Sequence, residues 1–157
     1  TRLERIWLRE LLSSVASRFA AQAQQQGIDL TLHPAPPCAL WADRLQLEVV
    51  VRNLLANAFE ATAERPGTGR QVRVSAHQES VGRVCITVED TGPGVSEDMV
   101  EHLFAAFHSS KSSGLGLGLA ISRAIIEAHG GSLWAEVAER GVFKILLPIG
   151  EAPGDGP

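Results

Sequence analysis

Lysine is nearly missing from this chain. Only Lys111 and Lys144 stand among its 14 basic residues, and the net charge over 157 residues is −4. No polybasic surface is available, which argues against nucleic acid as a partner. Cysteine is scarce as well. Cys38 and Cys85 show neither CxxC nor zinc-ligand spacing, so they read as two reduced packing residues, in keeping with a cytosolic setting. No apolar run reaches membrane-spanning length, no signal peptide is visible and no internal repeat is evident. The glycine-rich stretch lacks Gly-Lys-Ser/Thr at Walker A spacing, and no strand leads directly into it, which excludes a Rossmann turn. What remains is 45% hydrophobic and 20% charged, the composition of one globular domain with a normal core. The chain opens on Thr1, and the expectation is an excised fragment, with any membrane anchor outside it.

Hydrophobic periodicity gives a mixed order of elements. Residues 8–26 read as one amphipathic helix ended by Gly27. Residues 29–33 alternate like a short strand, and the proline run His33-Pro-Ala-Pro-Pro37 is a stiff connection. Asp43 reads as the N-cap of a central helix, with Gln46 completing a capping-box pattern. Leu47, Val51, Leu54, Ala58 and Ala61 form its apolar stripe. Two strands, 71–79 and 82–90, follow a turn at Gly67–Gly69, and Ser96 caps a short helix ending near Phe104. Residues 108–116 are Ser- and Gly-rich and read as mobile. A helix follows with Leu117, Ile121, Ala124, Ile125 and Ala128 on one face, stopped by Gly130-Gly131. A last strand pair, 132–137 and 142–147, turns at Arg140-Gly141, and 150–157 read as a disordered tail. The fold class is α+β: a two-layer α/β sandwich, a mixed sheet covered on one face by about three helices. Trp7, Trp41 and Trp134 are expected to be packing residues, and His129 to be structural at a helix C-terminus that favours a cation.

Three stretches carry chemistry. Asn53 and Asn57 lie one helical turn apart, on a common face beside the apolar stripe that Glu60 continues. Magnesium takes hard oxygen ligands, few of them from protein, so the Asn57 amide could hold one while Asn53 orients a water or a phosphate. Taken alone, the pair reads more readily as two solvated polar residues on a helix. Asp90 ends a strand on which Val84, Ile86 and Val88 point the same way, towards the core. A carboxylate there needs a donor. The amino group of adenine is one donor, and the backbone of the turn Asp90-Thr-Gly92-Pro-Gly94 is another. Gly92 and Gly94 allow close backbone approach and positive φ. Gly114-Leu115-Gly116-Leu117-Gly118 opens a helix, whose bare N–H groups make an anion site. Lys111 could meet a phosphate as a point charge, or be an exposed loop lysine. Phe104 and Phe107 read as hydrophobic pins for a lid.

The order of these motifs resembles the catalytic and ATP-binding domain of sensor histidine kinases, within the gyrase/Hsp90/MutL-type ATPase superfamily. Asn53-Leu-Leu-Ala-Asn57-Ala58 matches the N box and Asp90-Thr-Gly-Pro-Gly94 the first glycine box. Leu103-Phe104-Ala-Ala-Phe107, followed by Ser-Ser-Lys111, resembles the F box, and Gly114 to Ile121 the second glycine box. The similarity runs from about Leu11 to Pro148. Two positions depart from the pattern: Ala106, where the family often has proline, and His108.

The resemblance implies a Bergerat-type fold with ATP between the N-box helix and a lid. It implies that Asn57 binds Mg2+, Asn53 supports the phosphates and Asp90 binds the adenine amino group. Gly92, Gly94, Lys111, Gly114, Leu115, Gly116, Leu117 and Gly118 would complete the pocket and lid. The reaction implied is transfer of the γ-phosphoryl group to a histidine, then to a response-regulator aspartate. None of His33, His77, His102, His108 and His129 sits in an acceptor pattern. The dimerisation and phosphoacceptor domain is therefore expected upstream, with 1–10 as the end of its linker, 11–149 as the catalytic domain, and a monomer in isolation. A non-catalytic, nucleotide-gated interaction module of the same fold is the alternative.

Overall fold

The computed structural model describes residues 1–65, 67–80, 82–105 and 115–150, with only the backbone for 115–117. Its elements in chain order are β1 (Leu3–Trp7), α1 (Leu8–Ser17), α2 (Ala20–Gln26), β2 (Asp29–Leu32), β3 (Ala39–Asp43), α3 (Arg44–Ala63), β4 (Gln71–Ser80), β5 (Arg83–Asp90), α4 (Glu97–Val100), α5 (Leu115–Ala128), β6 (Ser132–Ala135) and β7 (Gly141–Pro148). Five strands form a mixed sheet in the order β2-β4-β5-β7-β6. The β2–β4 pair is parallel and the other pairs are antiparallel. β1 and β3 pair separately as a two-stranded ribbon. The two-layer α+β class is as expected from the sequence.

Alternation along the strands decides the two faces. Val72, Val74, Val84, Ile86, Val88, Phe143, Ile145 and Leu147 are buried beneath the helices in one contiguous core. α3 crosses its middle, with Leu47, Val50, Val51, Leu54, Leu55, Ala58, Phe59 and Thr62 all buried. The buried face is wider than the expected stripe, because α3 is wedged against α1, α5 and the sheet together. Thr62, not Ala61, fills the last position of that face.

Several boundaries move. The expected single helix 8–26 is two helices: α1 ends at Ser17, and Phe19 turns inward to meet Phe59 at 5.2 Å between ring centroids. The apolar spacing stays nearly in phase across Arg18 and Phe19, so periodicity conceals the break. Residues 3–7, expected within a linker, are β1, and Ile6 is fully buried. Trp7, expected to pack inside, is about half exposed beneath the Arg5 guanidinium. On α5 the buried residues are Leu119, Ser122 and Ile126, whereas Ile121, Ala124 and Ala128 face solvent. The helix is apolar nearly all round, so its periodicity is weak, and a buried serine marks the true inner face.

Asp43 caps α3 as expected, its Oδ1 accepting from the Gln46 N–H at 3.1 Å and its Oδ2 from the Arg2 N–H at 2.9 Å. These backbone donors, Arg2 first, hold its carboxyl below the usual aspartate range. The reciprocal half of the capping box is taken over by His129, whose Nε2 accepts from the Asp43 N–H at 3.1 Å. Its Nδ1 lies 2.8 Å from the Ile125 carbonyl and donates to it. His129 thus has a structural role, as the neutral tautomer rather than the cation that a helix C-terminus suggested. Arg70 closes the far ends of two helices by donating to the carbonyls of Gln26 and Ala63.

Candidate nucleotide-binding site

The site is built where α3, the end of β5 and the start of α5 converge. Asp90 is the last residue of β5 and only 2% exposed. Its Oδ1 accepts from the Gly92 N–H at 2.8 Å. The turn reading of this aspartate is what the structure shows, in a buried carboxylate that organises its own turn.

Two glycines make room around Asp90, and a third closes the turn that follows it. Gly141 lies directly across from it on β7, and a Cβ there would stand 2.0 Å from Asp90 Oδ2. A Cβ on Gly92 would stand 2.6 Å from the Ala61 carbonyl oxygen, so the turn rests on the last turn of α3. Gly94 has φ 79°, and a Cβ would meet the Ala138 carbonyl at 2.2 Å. Close approach is thus required at both Gly92 and Gly94, but towards protein backbone. Thr62 and Thr91 lock the same corner by a short hydroxyl–hydroxyl hydrogen bond, and Thr91 Oγ1 accepts from the Gln71 N–H at 3.0 Å.

Asn53 is half-buried, and its Nδ2 donates to the Gly118 carbonyl at 3.3 Å and to Ser122 Oγ at 3.1 Å. Its amide thereby ties α3 to α5. Asn57, one turn on, is also half-buried, and among the described residues nothing engages its amide. One uncommitted amide oxygen is what a magnesium ion carrying phosphates and waters asks of a protein, so the donor set fits Mg2+. α5 begins at Leu115, so Gly116 and Gly118 lie inside the helix rather than in a loop before it. The first-turn N–H groups of α5 have no carbonyl partner within the helix, as at any helix N-terminus. A Cβ on Gly118 would make only ordinary contact, 3.5 Å from Asn53 Nδ2.

Lys111, Gly114, Phe107 and the tail 151–157 lie outside the described residues. Phe104 is half-buried, edge-on to Phe143 at 6.3 Å with the Arg123 guanidinium over its ring. A separate cavity of about 200 Å3 is lined by Gln71, Arg73, Glu89, Asp90, Thr91 and Arg140. Arg73 and Glu89 alternate with the buried valines, so most of this cavity belongs to the outer face, away from Asn53 and Asn57. Residues that sequence reasoning missed are Gly141, Thr62, Thr91 and Ser122. The polar residues standing inside apolar stripes, Thr62 and Ser122, were the signal that could have found two of them.

Residues 42–151 match the family described as histidine kinase-, DNA gyrase B- and HSP90-like ATPase, and the chain belongs to that family. It is similar to the sensor protein FixL of Bradyrhizobium diazoefficiens, 36% identical over 92% of this chain and 29% of that protein. It is also similar to the C4-dicarboxylate transport sensor protein DctB of Rhizobium meliloti, 41% identical over 87% of this chain and 21% of that protein. The chain thus spans less than a third of these curated relatives. Among solved structures, the catalytic domain of histidine kinase ThkA in a nucleotide-free form superposes with a TM-score of 0.83 at 30% identity, over 94% of this chain and 96% of that one. Full-length ShkA in complex with AMPPNP gives 0.81 at 30% identity, over 96% of this chain and 32% of that one. Among the described residues no helix is long and apolar enough to cross a membrane.

Proposed function

We propose that this chain binds Mg·ATP and transfers its γ-phosphoryl group to a histidine on a separate dimerisation and acceptor domain, for relay to a response-regulator aspartate. The observation that carries this is Asp90. It is a buried carboxylate walled by Gly141 and seated on α3, beside the helix that presents Asn57. Asp90 would accept from the adenine amino group, where guanine offers an acceptor instead. Asn57 would hold Mg2+, and Asn53 would reach the phosphates by exchanging its hold on α5. The first turn of α5, Leu115 to Gly118, would face the phosphates with its N–H groups, and Lys111 and Gly114 would complete that wall. Bound Mg2+ supplies charge neutralisation on the phosphates. The protein supplies positioning and fixed dipoles, the terms that dominate phosphoryl transfer.

Support for the partners comes from likeness. The histidine kinase ThkA has been solved in complex with the response regulator protein TrrA, and this chain superposes on that kinase with a TM-score of 0.80 at 27% identity, over 43% of its length. The setting that suits both ATP and two free thiols is the cytoplasm.

Calorimetric titration of ADP and ATP with Mg2+ into wild type and Asp90→Asn tests the reading. Expected is binding by wild type, weakened about tenfold or more in the variant, which is 1.4 kcal/mol at least. Equal affinity of the two proteins would reject Asp90 as the adenine acceptor. An acceptor domain added in trans should then become phosphorylated, while this chain alone should not label.

A further inference from the structure

The sheet face turned away from α3 carries a cluster that the nucleotide site does not use. Cys85 on β5 lies directly across from His77 on β4. Between Gln78 and Ser80 the ladder slips, so Glu79 is the extra residue of a bulge. The bulge brings Glu79 Oε2 to 2.7 Å from His77 Nε2. The imidazole, carboxylate and thiol ligand atoms all lie within 4.8 Å of one another. His77 and Glu79 are exposed, whereas Cys85 is 2% exposed and forms the floor.

We propose that His77, Glu79 and Cys85 form a zinc site, with the fourth position open to solvent. One nitrogen, one oxygen and one sulfur donor make a borderline-soft set that suits Zn2+ and excludes Mg2+ and Ca2+. Zinc bonds of about 2.0–2.3 Å in a tetrahedron separate ligand atoms by roughly 3.3–3.6 Å. From 2.7 Å the His77–Glu79 contact must open by roughly 0.6–0.9 Å, and any separation near the 4.8 Å limit must close by about 1.2 Å, which two exposed side chains can do at little cost. Cys85 must deliver a thiolate. Burial pushes its thiol up, so Zn2+ displaces the S–H proton to solvent as the Zn–S bond forms. Thr87, two residues along β5 and so on the same face, acts to lower the Cys85 thiol and would support the thiolate. Lys144, whose charge reaches Cys85, is held by Glu136 at 3.2 Å, which offsets its repulsion of a metal ion.

Titration of the untagged chain with Co2+, then Zn2+, tests the site independently of the nucleotide reading, because Asn57 offers no sulfur. Expected is one Co2+ per chain, bound with release of one proton and with a sulfur-to-cobalt charge-transfer band, then displaced by Zn2+ with no further proton release. The band should persist in Cys38→Ala and vanish in Cys85→Ser. His77→Ala, at an exposed position that cannot unfold the sheet, should weaken binding tenfold or more. Absence of the band, its survival in Cys85→Ser, or wild-type affinity in His77→Ala would each overturn the proposal.

Discussion

The two glycine-rich motifs look alike in sequence and are unlike in physics. In the first, Gly92 and Gly94 are fixed by protein: each presses against a backbone carbonyl, and Gly94 also needs φ 79°. In the second, Gly118 sits inside α5 with room for a methyl group. The first pair makes the shape of the folded chain. Among the described residues no contact requires a glycine at 118, and the proposed nucleotide would supply the reason. Sequence spacing alone treats the two cases as one.

Substitutions separate them. The largest effect is expected at Gly94→Ala, where left-handed strain and the Ala138 carbonyl act together. A loss of roughly 3 kcal/mol, on the order of 10 °C in Tm, is expected by thermal unfolding. A change under 1 °C would show that the turn can relax. Next is Gly141→Ala, whose methyl would strike the Asp90 carboxylate. Nucleotide affinity should fall about tenfold or more. The stability loss should shrink in an Asp90→Ala background, with a coupling of about 1–2 kcal/mol in the double-mutant cycle. Additive effects would mean that Gly141 serves the strand and not the carboxylate. The smallest effect, opposite in sign, is expected at Gly118→Ala: about 0.5–1 kcal/mol of added stability from helix propensity. If its nucleotide affinity falls while stability rises, the glycine belongs to the bound state.

Much of this was legible beforehand. The cap of α3 at Asp43, the strand pair around residue 81 and the inward aim of Asp90 all follow from spacing within one element. What was hidden depends on partners far along the chain. β1 has one buried side chain, Ile6, and becomes a strand only by pairing with β3 some 35 residues on. β3 is five residues long behind a proline run, too short for alternation to announce. Gly141 reads as an ordinary hairpin glycine until Asp90 is placed opposite it. The inner face of α5 was misread because Ser122 is buried for its bond to Asn53, which no single-helix pattern contains. Asp90 was thus visible in the sequence, and the residues packed around it were not.

The Asp43 cap has a mechanical consequence. Its carboxylate takes the N–H groups of Arg2 and Gln46, and its own N–H is given to His129. The start of the chain, the first turn of α3 and the end of α5 therefore share one bearing. A displacement of the first residues need not cross the core to reach the helix of Asn53 and Asn57. It arrives along the short lever between Arg2 and Gln46, and the same motion loads the His129 end of α5.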